Sequence, residues 1–357
     1  MTALFSAYAL GFLRDRGGLL MTLVLPPVVY LLFAAIFGAA ARGDVQSVVV
    51  LNDSALTVQS RSIHSGLEET SGQRLLTAAD VAAVEAAVRD GRADVGVVLR
   101  RSTGPLPVVE VLSGAGRDVA AAAATGRIEG LLARAAGSPT TALSPPAVTR
   151  RVVGPEGDVQ AVYYAGAVSV MFVFFAAMHG AMGGLDERRS GLQARLALAS
   201  GGSASILGGR AAWLVTVGVV QAAAVFAVAA PRLPPLSLWQ AGAWLITATL
   251  TAAAAAGLAL VVIGLCRTRE QAQPLSTFIV LLLAALGGSM APRFLMPETF
   301  RQLGWITPHA WAIEAYQTVL WRGGFNATVW GAWAVLGGVG LLGWLGAWVM
   351  EARRIRM

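Results

Sequence analysis

Polar and apolar positions are segregated along this chain on the scale of whole segments. Six stretches lack any charged residue and are long enough to cross a bilayer, which takes about 20 helical residues at 1.5 Å each. They are 17–41, 159–185, 211–231, 233–266, 271–292 and 323–350. The first resembles a secretory leader because Arg14 and Arg16 precede it and Ala39, Ala40 and Ala41 follow. Its apolar run exceeds the 7–15 residues typical of a leader and contains Pro26 and Pro27, so it is expected to be a retained span.

Between the first two stretches, 42–158 has the pattern of a water-soluble α/β domain. SVVVLND (47–53) is a short apolar run ending in turn residues, a buried strand, and ADVGVVL (93–99) and PVVEVL (107–112) predict two more. Thr77 to Asp80 fits a capping box ahead of Val81, Val84 and Val88 at helical spacing, with Asp90-Gly91 as the stop. An Ala-rich helix over 117–136 and a Pro-containing linker over 137–150 complete the segment.

Composition agrees with a chain mostly in lipid: 56% of the 357 residues are hydrophobic and 13% charged, about half the charge of a soluble domain. The net charge of +7 and the pI near 10.6 raise nucleic acid as a partner, until the charges are placed. The 42–158 stretch holds 12 Arg and 13 acids and is nearly neutral; the rest holds 15 Arg and 7 acids. Eleven of those 15 (Arg14, Arg16, Arg188, Arg189, Arg195, Arg210, Arg267, Arg269, Arg353, Arg354 and Arg356) flank one side of a six-span topology. Only Arg232, Arg293, Arg301 and Arg322 flank the other. The positive-inside rule then makes both termini cytoplasmic and the α/β domain extracytoplasmic, since long loops translocate regardless of charge. The basic excess is topology charge, and no nucleic-acid partner is expected.

All 27 basic residues are Arg. Without Lys the chain has no phosphate-gripping P-loop and no Schiff-base nucleophile. One cysteine, Cys266, and three scattered histidines, His64, His179 and His309, build no evident metal site. No nucleophile with a base, paired intramembrane carboxylates or metalloprotease motif stands in a supporting context, so the chain is expected not to be an enzyme. The Gly- and Ala-rich run Ala252 to Gly257 fits close helix packing.

Three segments outside the spans are candidate functional elements. Residues 184–210 form the longest predicted cytoplasmic loop, in which Asp186, Glu187, Arg188 and Arg189 precede an apolar stripe of Leu192, Leu196 and Ala199. The pattern is that of a short amphipathic helix, suited either to the lipid interface or to a groove on a cytoplasmic partner. Residues 1–16 end in the triplet Arg14, Asp15 and Arg16 and have the character of an interfacial amphipathic helix. Residues 292–324 are too polar and Pro-broken to span, yet rich in Trp305, Trp311 and Trp321; short helices dipping into the outer leaflet would satisfy both. Glu314 and His309 lie there, with Arg301 and Arg322 as candidate ion-pair partners; a structural pair is favoured over a functional intramembrane acid.

These residues together resemble the permease subunits of ABC-2 type transporters, in the branch with a large extracytoplasmic domain between the first two spans. The resemblance is carried by RDRGGLLMTLVLPPVVYLLF (14–33), VVVLNDS (48–54), GLDERRSGLQARL (184–196) and MPETFRQLGWITPHAWAIEAYQTVLWRGG (296–324). It implies a polytopic α-helical membrane protein with six transmembrane helices and an inserted α/β domain. Its parts would be a 1–16 elbow helix, a 17–41 span, a 42–158 domain, five spans over 159–350 and a 351–357 tail. It also implies pairing with a second permease copy or paralogue and with cytoplasmic ATPase subunits that hold ATP and Mg, leaving no cofactor on this chain. Asp186, Glu187, Arg188, Arg189 and Arg195 would contact the ATPase; His309, Trp311 and Glu314 would sit in an outer gate or re-entrant segment. The expected function is export of a lipophilic or amphipathic compound across a bacterial inner membrane, with a periplasmic adaptor as a further candidate partner. A membrane-anchored ligand sensor or secretion accessory protein is the alternative.

Overall fold

The computed structural model describes residues 2–40, 49–55, 58–71, 75–90, 92–101, 107–114, 118–135, 148–154, 157–199, 203–293, 296–322 and 324–356. Most of the predicted 137–150 linker lies outside them. The chain divides into two units: a helical one (1–32, 162–231 and 236–357) and an α/β one (33–161 and 232–235).

The elements in order are α1 (Thr2–Arg14), α2 (Arg16–Leu19), α3 (Leu25–Ala40), β1 (Val49–Asp53), α4 (Val58–Ser71), β2 (Leu75–Thr77), α5 (Val81–Arg89), β3 (Val95–Arg100), β4 (Val108–Ser113), α6 (Asp118–Ala135) and β5 (Val148–Val152). There follow α7 (Val159–Ala181), α8 (Gly183–Arg189), α9 (Leu192–Ala199), α10 (Ser203–Ala229), α11 (Leu238–Leu265), α12 (Arg269–Gly287), α13 (Glu298–Leu303), α14 (Pro308–Gln317) and α15 (Ala327–Arg356).

Among the described residues six helical segments are long and apolar enough to cross a membrane: Arg16–Ala35, Val159–Arg189, Ala204–Arg232, Leu238–Leu265, Arg269–Gly287 and Ala327–Arg353. The protein is a polytopic helical membrane protein with an inserted α/β domain. Within the bundle the second segment is the central one, 83% buried against 17% for the first. The first begins where Asp15 accepts a hydrogen bond from the Gly18 amide at 3.0 Å, capping otherwise orphaned donors. It widens to a π turn over Leu20–Val24, where the Leu25 amide bonds back to Leu20. Pro26 and Pro27 follow and have no amide to continue the ladder.

The tightest packing joins α11 to α15, which run side by side and parallel. A methyl group on Gly257 would fall 2.5 Å from the Gly340 carbonyl oxygen, and one on Gly340 would fall 2.9 Å from the Ala253 backbone. Glycine is therefore required for these backbones to touch. Further along the same seam the Trp333 indole donates to the Thr247 hydroxyl at 2.9 Å, satisfying a buried N–H.

In the α/β unit the five strands take the order β2-β1-β3-β4-β5. β1 is parallel to β2 and β3, β3 antiparallel to β4, and β4 parallel to β5. Helices cover both faces, which is why β1 and β3 are nearly continuous apolar runs. On one face Leu51, Val97 and Leu99 pack with Ile63 of α4 and Ile128 of α6; on the other Val50, Val98 and Leu112 pack with Val84 and Val88 of α5. The helix-capping group of α5 is Asp80, bonded to the Ala83 amide at 2.7 Å, while Thr77 ends strand β2 instead of opening a capping box.

Candidate functional site

Helices α8 and α9 join α7 to α10 at one end of the bundle, where charges from α8, α10, α12 and α15 converge. The predicted single amphipathic helix over 186–199 is two helices, α8 and α9. Gly191 breaks them at φ +70°, a left-handed conformation that glycine adopts without a Cβ penalty. Across the hinge, Glu187 of α8 turns toward α10, while Arg188 of α8 and Gln193 of α9 meet at α15.

Glu187 of α8 pairs with Arg210 of α10. Their side chains are 13% and 5% exposed, so this pair is nearly dry. The Arg210 guanidinium fits because Gly184 has no side chain: a methyl there would overlap it. The Tyr8 hydroxyl of α1 donates to Glu187 Oε2 at 3.4 Å and accepts from Arg210 Nη2 at 3.4 Å. Burial raises the Tyr8 pKa above its ordinary value; Arg210 pulls it down and Glu187 pushes it up. Helix α1 is held against α10 by Phe5 and Phe12, both edge-on to Trp213 at centroid distances of 5.4 and 5.6 Å.

Arg188 reaches Glu351 of α15 at 3.7 Å, and Gln193 of α9 donates to the same carboxylate. These groups share a small cavity with Arg210, Ile263 and Met350. The remaining pairs lie outside: Arg269 to Asp186 at 3.2 Å and Arg189 to Glu270 at 3.6 Å, each side chain about half exposed or more. Arg195, Arg267 and Arg353 are exposed as well. Among the described residues the open side of this end thus presents Arg189, Arg195, Arg267, Arg269 and Arg353 against Asp186 and Glu270, a positive surface.

The five coupling candidates therefore separate into two sets. Glu187 and Arg188 face inward and join helices; Asp186, Arg189 and Arg195 face outward. Arg14, Asp15 and Arg16 are all exposed where α1 meets α2, and Asp15 is engaged as the cap. Arg210, Gly184, Tyr8 and Glu351 were missed as site residues. Arg210 and Glu351 read in the sequence as charges bounding apolar runs, and the only hint of pairing is that two acids and two arginines lie together at 186–189.

A second cluster lies in 296–322. Glu314 of α14 pairs with Arg322, which closes a π turn over Thr318–Arg322, while Arg301 pairs with Glu298. His309 is completely buried and stacked on Phe174 at a centroid distance of 4.3 Å. Trp311 donates to the Trp305 carbonyl at 2.7 Å, and Arg293 lies over the Trp305 ring at 3.9 Å. Tyr163 of α7 donates to the Gly288 carbonyl at 2.5 Å, where Gly288 ends α12 in a left-handed conformation, φ +97°. These contacts fasten short helices to the bundle. They bring His309, Trp311 and Glu314 into one segment but give each a different neighbour, with no shared site among the described residues. Among the described residues no group of three or more His, Cys, Asp or Glu is placed to hold a metal.

Compared with known proteins, residues 16–349 match a family model described as ABC-2 family transporter protein. No curated protein matches the chain.

Proposed function

The chain belongs to the ABC-2 transporter family and is a transmembrane permease subunit; we propose that it serves an exporter driven by ATP hydrolysed on separate cytoplasmic subunits. The arginine-rich end of the bundle would face the cytoplasm, with both termini, and the α/β domain would lie on the outside of a bacterial inner membrane. ATPase subunits, holding ATP and Mg, would dock on the positive open surface made by α8, α9 and the start of α12. Two such permeases, identical or paralogous, would enclose a pathway for a lipophilic or amphipathic compound, which a bundle with few interior charges suits.

The observation that carries this reading is the built end of the bundle. A helix–hinge–helix segment presents charges outward and is simultaneously tied to α1, α10, α12 and α15. A lipid-anchored interfacial helix needs no such ties. Nucleotide-dependent closure of the ATPases would bias a bundle with two packings through this segment. The test is affinity purification of the tagged chain from its native membrane. Stoichiometric recovery of an ATP-binding-cassette subunit is expected, weakened when Asp186, Arg189 and Arg195 are all replaced by Ala. Recovery of a kinase or protease in its place would support the sensor alternative and overturn the exporter.

A further inference from the structure

A push on α8 and α9 does work only if it reaches the spans, and the structure contains two ties positioned to deliver it. An arginine inside an apolar helix is expensive, and one partner removed from a buried pair leaves an uncompensated charge. Arg210 is 4% exposed, seated over Gly184, paired with Glu187 and touched by Tyr8. The second tie, at Glu351, gathers Arg188 from α8 and Gln193 from α9 onto α15. Apolar side chains slide past one another at little cost, whereas an ion pair in a dry setting resists separation steeply with distance. Asp186–Arg269 and Arg189–Glu270, open to water, lack that stiffness.

We infer that Arg210 and Glu351 are positioning residues of the permease. Arg210 carries displacement of α8 into α10 and α1; Glu351 carries displacement of α8 and α9 into α15. The inference rests on the reading of the chain as an ATPase-driven permease and specifies which residues off the coupling segment receive its movement.

The experiment uses the chain purified with its ATPase subunit in lipid nanodiscs, with buried Cys266 replaced by Ser. Single cysteines are placed at Ala230, in the turn after α10, and at Ala327, the exposed first residue of α15. Labelling by a water-soluble maleimide is compared without nucleotide and with ATP plus vanadate. The unaltered ties should give a nucleotide-dependent change in labelling at both reporters. The double variant Glu187→Leu with Arg210→Met replaces both charges by apolar groups and so avoids a stranded ion; it should lose the change at Ala230 while the ATPase stays bound. Glu351→Gln should lose it at Ala327, and the charge swap Glu187→Arg with Arg210→Glu should restore it at Ala230. The inference is overturned if both reporters respond unchanged in the tie variants, or if neither responds with the ties intact. Should the double variant not assemble, Glu351→Gln alone decides. Failure of the permease reading looks different: no ATPase subunit accompanies the chain with its ties intact.

Discussion

The α11–α15 pair and the sheet of the α/β unit are both apolar and both buried, yet they are built from opposite kinds of residue. In the α/β unit, Leu51, Val97 and Leu99 of the sheet and Ile128 of α6 fill the space between layers. Along the helix pair the seam is Ala253, Gly257, Gly340 and Gly343, with backbone against backbone. The difference follows from the solvent. Large side chains in the domain are driven together by water, whereas helices in hydrocarbon gain nothing from burying a leucine that lipid already contacts. Close approach, with the dispersion and weak polar contacts it allows, is what remains. Mutations that damage one region should therefore be the reverse of those that damage the other.

The largest effect is expected from adding bulk to the seam. A side chain at Gly343 would run into the Gly257 backbone, which cannot rotate aside as a side chain tip can. Gly343→Leu should separate α11 from α15 and cost more than the about 1–3 kcal/mol of ordinary overpacking, seen as loss of a monodisperse species in detergent. Leu341, 58% exposed on the same helix, provides the control: Leu341→Ala should leave that species intact. If Gly343→Leu is as well behaved as Leu341→Ala, the seam is not what holds the pair.

Removing bulk should matter next, and only in the sheet. Leu99 is fully buried between β3 and the helices of one face. Leu99→Ala should cost about 2–5 kcal/mol through lost burial and the cavity left behind. Hydrogen exchange of the β1 and β3 amides in the full-length protein reads it directly; exchange rates unchanged from the starting protein would contradict a conventionally packed core.

How much of this was legible in sequence differs between the regions for the same reason. The strands at 49–53, 95–100 and 108–113 announce themselves by apolar runs bounded by turn residues, and α5 and α6 by helical spacing and alanine content, whereas the polar helix α4 and the three-residue strand β2 carry no such signal. Nor does strand β5: as an edge strand reading VTRRV with exposed arginines, it looks like the end of a linker. Six spans follow from charge-free runs, but their ends mislead wherever a charge is buried. Helix α10 starts at Ser203 and the charge-free run at 211, because Arg210 is inside the helix and satisfied by Glu187. Counting charges treats every arginine as solvated, and the pair that most distinguishes the candidate site is formed by one that is not. Which side of α9 faces inward likewise depends on the hinge at Gly191, and no single-helix periodicity contains it.

The domain surface should tolerate what the arginine-rich end does not. Arg151 of β5 pairs with Glu110 and Glu85, and these hydrogen bonds raise its pKa above the ordinary arginine value, yet its side chain is 46% exposed. Water and salt screen such pairs, so Arg151→Ala should cost less than about 1 kcal/mol and the difference should shrink as salt is raised. Thermal unfolding of the purified protein at low and high ionic strength measures it. A loss of several kcal/mol, insensitive to salt, would place this exposed network in the same class as Glu187–Arg210.

The smallest effect carries the opposite sign and returns to glycine. Gly126 lies in the interior of α6 on its exposed side, and a methyl there would meet nothing within 4 Å. At Gly343 the absent side chain is a packing requirement; at Gly126 it only enlarges the conformational freedom that folding must remove. Gly126→Ala should therefore stabilise the domain by about 0.5 kcal/mol, chiefly by restricting the unfolded chain. The measurement is slower hydrogen exchange across α6 with the bundle unchanged. If Gly126→Ala speeds exchange, the face of α6 at Gly126 is not open, and the contrast between a glycine that packs and a glycine that merely loosens would hold for the membrane seam alone.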